Sequence, residues 1–204
     1  NQTSRDSVAT AIRNGYRGID TARQYGNEQG TGAGIKLGLE QAGLQRSDLF
    51  VTTKLDNGEQ GDYAQVSSAF ENQLKDLGLD YVDLYLIHWP VDKTYIESYH
   101  AMERLYREGK IRAIGVSNFD NDRMKKLLDE AEIIPAVNQM EFNPTNQEHG
   151  ILEYDQSHKI EMTAWSPLGG GAALTNPVIT ALAKKYDRAA AQIILRWEWQ
   201  RNII

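Results

Sequence analysis

In the stretch VSSAFENQLKDLGLDYVDLYLIH, residues 66–88, the spacing of the apolar residues changes from that of a helix to that of a strand within a few positions. Its first part places four apolar residues on one face of a helix: Val66, Phe70, Leu74 and Leu77. Gly78 follows, which is typical of a helix end. Residues 82–88 then form the most apolar run of the chain, which predicts a strand buried on both faces. The stretch therefore predicts a helix that leads into a strand of a parallel sheet.

The same alternation extends in both directions along the chain. Strand-like runs lie at 16–20, 49–54, 82–88, 111–116, 135–141 and 160–165, and another begins at 202–204. Helical patterns lie around 8–12 and at 28–41, 66–77, 100–108, 122–130, 151–158, 177–186 and 189–200. Strands that alternate with helices are typical of βαβ units and of a parallel sheet.

We therefore expect an α/β fold, a (β/α)8 TIM barrel, with residues 1–204 in a single domain. An open, doubly wound parallel sheet is the structural alternative. The chain opens on a helix, lacks an initiator Met and stops inside an apolar run at Ile203 and Ile204. We expect the first strand of the barrel and a C-terminal segment to be absent from this sequence.

Composition excludes several functional classes. The formal net charge is -6, which disfavours nucleic acid and anionic membranes as partners. No run of 18 apolar residues occurs, and residues 1–7 are too polar for a signal peptide. The chain has no cysteine, so disulfides, thiolate catalysis and cysteine metal sites are excluded. We expect a cytoplasmic protein that is a monomer or a weak oligomer.

Polar or aromatic residues end one predicted strand after another. They are Asp20, Lys54, His88, Ser117, Asn118, Gln139, Trp165 and Ser166. In a barrel these strand ends share one rim, where the chemistry takes place. Asp20 and Lys54 end apolar strands, where an unpaired charge is costly, so each is the simplest partner for the other.

Each of these residues also has an interpretation without function. Asp20 would serve equally well as a helix N-cap, Lys54 as a solvated strand end, and His88 as a core histidine with its hydrogen bonds satisfied. Tyr25, in a loop, would simply pack. Their joint occurrence on one rim is what favours a functional site.

Other catalytic patterns are missing or weak. The sequence has no HxxxH pair, no histidine cluster and no GxSxG motif, so we expect no metal site. Residues 30–34 alternate glycine with Thr31 and Ala33 and superficially resemble a phosphate loop. They lie within a predicted helix and do not match GxGxxG, so we expect these glycines to allow close helix packing.

A tyrosine near a lysine is more informative. A free phenol has a pKa near 10 and is a poor acid at neutral pH. A lysine ammonium about 4 Å away favours the tyrosinate by up to about 4 kcal/mol at an effective dielectric of about 20. Tyr25 beside Lys54 would therefore protonate a developing alkoxide while a hydride arrives from a cofactor. Asp20 would keep Lys54 charged, and His88 would orient the carbonyl.

Five motifs in order along the chain now resemble the aldo-keto reductases. They are GIDTA at 18–22 with YGNE at 25–28, LYLIHWP at 84–90, GVSNF at 115–119, VNQ at 137–139 and AWSPLG at 164–169. The resemblance covers essentially the whole chain, and in style it is nearest to bacterial 2,5-diketo-D-gluconate and glyoxal reductases. It implies a carbonyl oxidoreductase that reduces aldehydes and ketones with NADPH.

The resemblance also implies roles for individual residues. The catalytic tetrad would be Asp20, Tyr25, Lys54 and His88, with Tyr25 as the general acid. The residues that hold the cofactor would be Asp20, Ser117, Asn118, Gln139, Trp165, Ser166, Leu168 and Gly169. A small carbonyl substrate would contact Tyr25, His88 and Trp89. The choice of NADPH over NADH rests on the resemblance alone.

Two positions depart from the family pattern, and two other functions stay open. Gly18 stands where the family commonly has His, and Asp56 stands where bacterial relatives often have Trp. Asp56 would either make one wall of the pocket acidic or be a solvated loop acid.

Lys54 would serve a Schiff-base aldolase if it were neutral. A non-catalytic nucleotide-binding redox sensor is the other alternative.

Overall fold

The computed structural model describes residues 2–204 and contains one six-stranded parallel sheet with helices. The strands are β1 (Gly18–Asp20), β2 (Phe50–Leu55), β3 (Leu84–Ile87), β4 (Ile114–Ser117), β5 (Val137–Glu141) and β6 (Glu161–Trp165). The α-helices are α1 (Gln2–Arg13), α2 (Glu28–Ala42), α3 (Tyr63–Leu77), α4 (Tyr95–Arg107), α5 (Asn121–Glu130), α6 (His149–Ser157), α7 (Pro177–Tyr186) and α8 (Ala190–Gln200). The predicted α/β class is confirmed.

The order of the strands in the sheet follows the order of the chain. Each strand pairs in parallel with the next one, from β1 to β6. A doubly wound sheet would instead reverse its strand order at one point. The observed order is that of a continuous wall, and it places the carboxyl ends of all six strands along one edge.

The sheet is strongly curled. Neighbouring strands lie about 4.8 Å apart, so a flat sheet would separate β1 from β5 by roughly 19 Å. Nevertheless, the side-chain amide of Gln139 in β5 donates to the carboxylate of Asp20 in β1 at 2.9 Å. The curl therefore turns one edge of the sheet into a mouth around which distant strand ends meet.

The chain end differs from the prediction. No strand forms at 202–204, and the sheet has six strands where the sequence predicts seven. Ile204 nevertheless follows β6, because its N–H donates to the carbonyl of Met162 at 3.0 Å and its carbonyl accepts from Ala164 at 2.8 Å. These bonds are those with which a further parallel strand would begin.

Close packing explains the glycines of α2. A Cβ on Gly32 would lie 2.0 Å from the carbonyl oxygen of Leu77, and one on Gly34 would lie 2.7 Å from that of Arg5. The helix therefore contacts α3 and α1 at backbone distance, as the sequence predicts. The main core lies between β2, β3 and β4 and the helices α3, α4 and α5.

Within residues 2–204, none of the helices has the length and apolar character that crossing a bilayer requires.

Candidate active site

Lys54 lies at the centre of the site. It occupies the carboxyl end of β2, where the alternation of the strand turns its side chain toward the mouth, and it is fully buried. Its ammonium forms an ion pair with Asp20 and donates to the carbonyl of Thr21 at 3.1 Å. The same Nζ lies 3.4 Å from the hydroxyl of Tyr25. One buried cation thus contacts both the predicted carboxylate and the predicted phenol.

Asp20 is less buried than the sequence suggests. Its side chain is 44% exposed, because β1 is the first strand of the sheet and has a neighbour on one side only. Its second carboxylate oxygen accepts from Gln139. Asp20 therefore links the ammonium of Lys54 to β5, and it is not the helix N-cap that its position also allowed.

Tyr25 is carried by a short turn after β1. Residues Arg23–Tyr25 form one turn of 3-10 helix, which ends at Gly26 in a left-handed conformation with φ 61°. The Tyr25 side chain is 51% exposed, and its ring meets the ring of His88 edge-on with centroids 5.6 Å apart. The hydroxyl is therefore held by Lys54 on one side and open to an incoming molecule on the other.

His88 follows β3 and is 7% exposed. Burial, and then the charge of Lys54, lower the pKa of its imidazole, which favours the neutral ring. Its Nδ1 is buried without a hydrogen-bond partner. His88 is thus not a core histidine with its hydrogen bonds satisfied, and a neutral imidazole next to Tyr25 can donate to a carbonyl oxygen.

The next strands bring amide and hydroxyl groups beside these residues. Ser117 donates through Oγ to the carbonyl of Gln139 at 2.8 Å. The side-chain amide of Asn118 donates to the carbonyl of His88 at 3.0 Å, and Asn118 has a left-handed backbone with φ 64°. The indole of Trp165 donates to the Asn118 side chain at 2.9 Å. The predicted cofactor residues of β4, β5 and β6 therefore form one connected surface with the tetrad.

A tight turn follows β6. Ser166 and Gly169 have φ values of 54° and 57°, and Gly170 and Gly171 are also left-handed. The N–H of Gly170 donates to Oγ of Ser166 at 3.2 Å, and Leu168 precedes the 3-10 helix Gly169–Thr175. The turn follows Trp165 directly and carries three further residues that the resemblance assigns to the cofactor: Ser166, Leu168 and Gly169.

Three residues near the rim differ in their environment. Trp89 is 42% exposed and follows His88 at the mouth. Asp56 accepts from the N–H of Gly58 at 3.0 Å and so caps the turn after β2, and the residue is partly buried. Tyr85 is fully buried and packs against Phe70, with ring centroids 4.8 Å apart.

A buried polar network behind Lys54 was not predicted. The amide of Gln73 donates to the main-chain carbonyl of Lys54 at 3.1 Å and to Glu28 at 2.9 Å, and it accepts from the hydroxyl of Tyr85 at 2.6 Å. Thr53 donates to the same Glu28 oxygen at 2.7 Å. The signal was present in the sequence, because Gln73 falls on the apolar face of its helix.

Glu28 also connects this network to the turn of Tyr25. Burial raises the pKa of its carboxyl, while hydrogen bonds from Gln73 and Thr53 oppose the rise. Arg23, two residues before Tyr25, lies 3.6 Å from Glu28 and 2.8 Å from Asp76 of α3. The phenol is therefore carried by a turn that is anchored to the helix behind the sheet.

Comparison with known proteins gives a consistent result. The model of the Aldo/keto reductase family matches residues 1–204. The chain is 51% identical over 199 residues to the uncharacterized oxidoreductase YtbE of Bacillus subtilis strain 168, covering 98% of the chain and 71% of that protein. It is 48% identical over 199 residues to the glyoxal reductase of the same strain, covering 98% and 70%. The crystal structure of a Bombyx mori aldo-keto reductase in complex with NADP superimposes with a TM-score of 0.92 at 38% identity, covering 98% of the chain and 71% of that protein.

Proposed function

This chain belongs to the aldo/keto reductase family and is an oxidoreductase, and from that premise we propose that it reduces small aldehydes and dicarbonyls with NADPH, with Tyr25 as the proton donor. The observation that carries the proposal is the buried ammonium of Lys54, which pairs with Asp20 and lies 3.4 Å from the Tyr25 hydroxyl. A related protein of Bacillus subtilis is named glyoxal reductase, which supports small dicarbonyls as the substrate class.

The proton would move from Tyr25 to the substrate oxygen. Carbonyl reduction needs a hydride at the carbon, which a bound reduced nicotinamide supplies. As negative charge develops on the oxygen, the half-exposed phenol donates its proton, and the nearby Lys54 ammonium stabilises the tyrosinate that remains. Asp20 keeps Lys54 charged, and the neutral imidazole of His88 orients the carbonyl.

The polar groups around the mouth fit a nicotinamide nucleotide. Ser117, Asn118 and Gln139 offer hydroxyl and amide groups suited to a carboxamide, and Trp165 offers an aromatic face for the ring. Asp20, which accepts a hydrogen bond from Gln139, would also contact the cofactor there. Ser166, Leu168 and Gly169 would line the pyrophosphate path with main-chain N–H groups. The Bombyx mori relative was crystallised with NADP, which supports NADPH as the reductant.

The pairing of Lys54 weighs against the Schiff-base alternative. An amine must be neutral to attack a carbonyl, and a carboxylate in direct contact favours its charged form. The same pairing suits a lysine whose task is electrostatic. Lys54 thus supports proton transfer by Tyr25 better than it supports an aldolase.

The proposal also covers the complete fold, the cellular compartment and the oligomeric state of the enzyme. The six strands would be part of a (β/α)8 barrel in which residues 1–204 belong to one domain, which the curl of the sheet and the pairing of Ile204 with β6 support. The absence of cysteine is compatible with the cytoplasm. A small carbonyl compound would be the partner, and the enzyme would act as a monomer or weak oligomer.

Replacing Tyr25 by Phe tests the proposal. We expect Tyr25→Phe to lower the rate of NADPH oxidation with methylglyoxal by roughly 10²- to 10⁴-fold, the usual contribution of a general acid. The affinity for NADPH, followed by fluorescence, should hardly change. Tyr16→Phe is the matched control, because Tyr16 is 65% exposed and precedes the amino end of β1, whereas the mouth lies at the carboxyl ends of the strands.

Two outcomes would contradict the proposal. Equal activity of the wild type and Tyr25→Phe would remove the role assigned to Tyr25. Tight NADPH binding by the wild type without turnover, over a broad panel of carbonyl compounds, would favour the redox-sensor alternative instead.

A further inference from the structure

Asp155 is a buried acid that the proposed mechanism does not use. It lies in α6 and is fully buried, and one of its carboxylate oxygens has no hydrogen-bond partner. Burial raises the pKa of Asp155 to about 6, although the Asn138 amide and the nearby His158 oppose the rise. A buried carboxylate with half of its hydrogen-bonding capacity unmet costs free energy. If stability alone mattered, an apolar residue at this position would give a higher free energy of unfolding.

The other oxygen of Asp155 orients the side chain of Asn138. It accepts from Nδ2 of Asn138 in β5 at 2.9 Å, and Asn138 is also fully buried. A carboxylate only accepts hydrogen bonds, so it selects the amide orientation in which Nδ2 faces it. The reverse orientation would bring two acceptor oxygens together without a proton between them.

In that orientation the Asn138 side chain forms two hydrogen bonds with the main chain of Phe119. Its Nδ2 donates to the Phe119 carbonyl at 2.9 Å, and its Oδ1 accepts from the Phe119 N–H at 3.4 Å. The ring of Phe119 is fully buried against Tyr95, with centroids 5.3 Å apart. One amide group therefore satisfies both polar groups of a single peptide residue, as a neighbouring strand would.

Phe119 directly follows Ser117 and Asn118, which the proposed function assigns to cofactor binding. Asn118 holds a left-handed backbone, which costs a non-glycine residue about 1 kcal/mol and persists where the surroundings enforce it. Its N–H donates to the carbonyl of Gln139 at 3.0 Å on one side. Its side chain is held by His88 and Trp165, and on the other side the pair of bonds from Asn138 fixes the next residue, Phe119.

We propose that Asp155 is a positioning residue, which acts through Asn138 to hold Ser117–Phe119 in the shape that receives the nicotinamide carboxamide. The inference rests on the proposed function, since it needs a nicotinamide at that surface. Asp155 itself touches neither cofactor nor substrate in this scheme. Its effect should therefore appear in the affinity for the cofactor and in the rigidity of residues 117–119.

Three variants of Asp155 and one control separate this role from packing. Asp155→Leu fills the space but removes the acceptor, and Asp155→Ala removes the acceptor and leaves space, so a misfit of leucine alone does not decide the test. Asp155→Asn keeps an oxygen that can accept from Asn138 and removes the charge. Glu153→Gln is the control, because Glu153 is exposed on the same helix.

The readouts are the Kd for NADPH, measured by fluorescence, and hydrogen–deuterium exchange of a peptide covering residues 117–121. We expect Asp155→Leu and Asp155→Ala to weaken NADPH binding by roughly tenfold, the effect of one lost hydrogen bond. Exchange in that peptide should become faster. Asp155→Asn should restore the Kd to within about threefold of the wild type, and Glu153→Gln should behave as the wild type.

Affinity and folding stability should change independently. Asp155→Leu is expected to keep the thermal midpoint near that of the wild type, because the removal of a buried charge offsets the loss of the acceptor for the Asn138 amide. Wild-type affinity and unchanged exchange in both removal variants would overturn the inference and leave Asp155 a packing residue. A wild-type protein that binds no NADPH at all would overturn the proposed function, and this inference with it.

Discussion

The amino ends and the carboxyl ends of the strands each carry an ion pair, but the two pairs differ in their surroundings. At the amino ends of the strands, Asp83 is buried and has both oxygens satisfied, by the main-chain N–H of Val51 at 2.9 Å and by Arg46 and Arg112 at 2.7 and 3.1 Å. At the carboxyl ends, Lys54 and Asp20 pair as well, but Tyr25 stays half-exposed and Nδ1 of His88 has no partner. At one end the chain itself uses both oxygens of the carboxylate, and at the other end the phenol of Tyr25 stays accessible to a further molecule.

The comparison shows that a buried ion pair alone does not indicate a function. Around Asp83 every polar atom of the carboxylate is used, which is the arrangement of a structural clamp between β2, β3 and β4. Around Lys54 the third partner of the ammonium is the hydroxyl of Tyr25, a residue that is 51% exposed. The exposed phenol of Tyr25 beside a buried ammonium, rather than the presence of charge, is what marks the mouth as the candidate site.

The largest expected effect belongs to Lys54. Lys54→Met fills a similar volume but removes the charge that stabilises the tyrosinate, so kcat/KM for methylglyoxal should fall by about 10³-fold or more. NADPH oxidation in the steady state measures it, with circular dichroism to establish that the variant is folded. A folded Lys54→Met enzyme with a rate near that of the wild type would break the comparison, because this end would then be structural too.

At the opposite end the effect should fall on stability. Asp83→Ala leaves Arg46 and the N–H of Val51 without their acceptor, so we expect the free energy of unfolding to fall by about 3 kcal/mol. Urea unfolding measures the loss, and the rate per folded molecule should stay at the wild-type value. Asp62→Ala, which removes an exposed helix cap on α3, is the control and should cost only about 1 kcal/mol. A loss of turnover in folded Asp83→Ala would contradict the assignment of this end.

The smallest effect concerns the pH dependence of His88. Its pKa is lowered in the folded state, so the fold favours the neutral ring. The stability that results is complete above the ordinary pKa of 6.5 and is lost as the pH falls below it toward the folded-state pKa. Urea midpoints from pH 5 to 8 should therefore decline more on the acid side in the wild type than in His88→Gln. His149→Gln, at an exposed histidine, should follow the wild type, and identical curves for all three proteins would contradict the prediction.

Several local features were predictable from particular residues. The period change at Gly78 predicts both α3 and β3, and Asn176 and Pro177 predict the start of α7, where Asn176 accepts from the N–H of Val178 at 2.9 Å. The contact between Asp20 and Lys54 was predictable because a charge at the end of an apolar strand needs a partner. The motifs that resemble the aldo-keto reductases led to the correct family.

Other features could not be predicted from the same residues. The start of α4 at Tyr95, five residues before the predicted helix, depends on the burial of Tyr95 and Tyr99 against the sheet. The networks of Gln73 and Asp155 join helices to strands that are far apart in the chain. A polar residue on an apolar helix face signals that a partner exists, but the sequence does not say which one.

The amino-acid sequence by itself determined the kinds of elements, their order and the polar residues that end each strand. These follow from local periodicity and from the cost of burying an unpaired charge. Beyond the pair of Asp20 and Lys54, the tertiary structure alone decided which strand ends touch and which polar atoms stay free. The curl of the sheet brings Gln139 to Asp20 across four strand spacings, and no pattern of neighbouring residues encodes that distance.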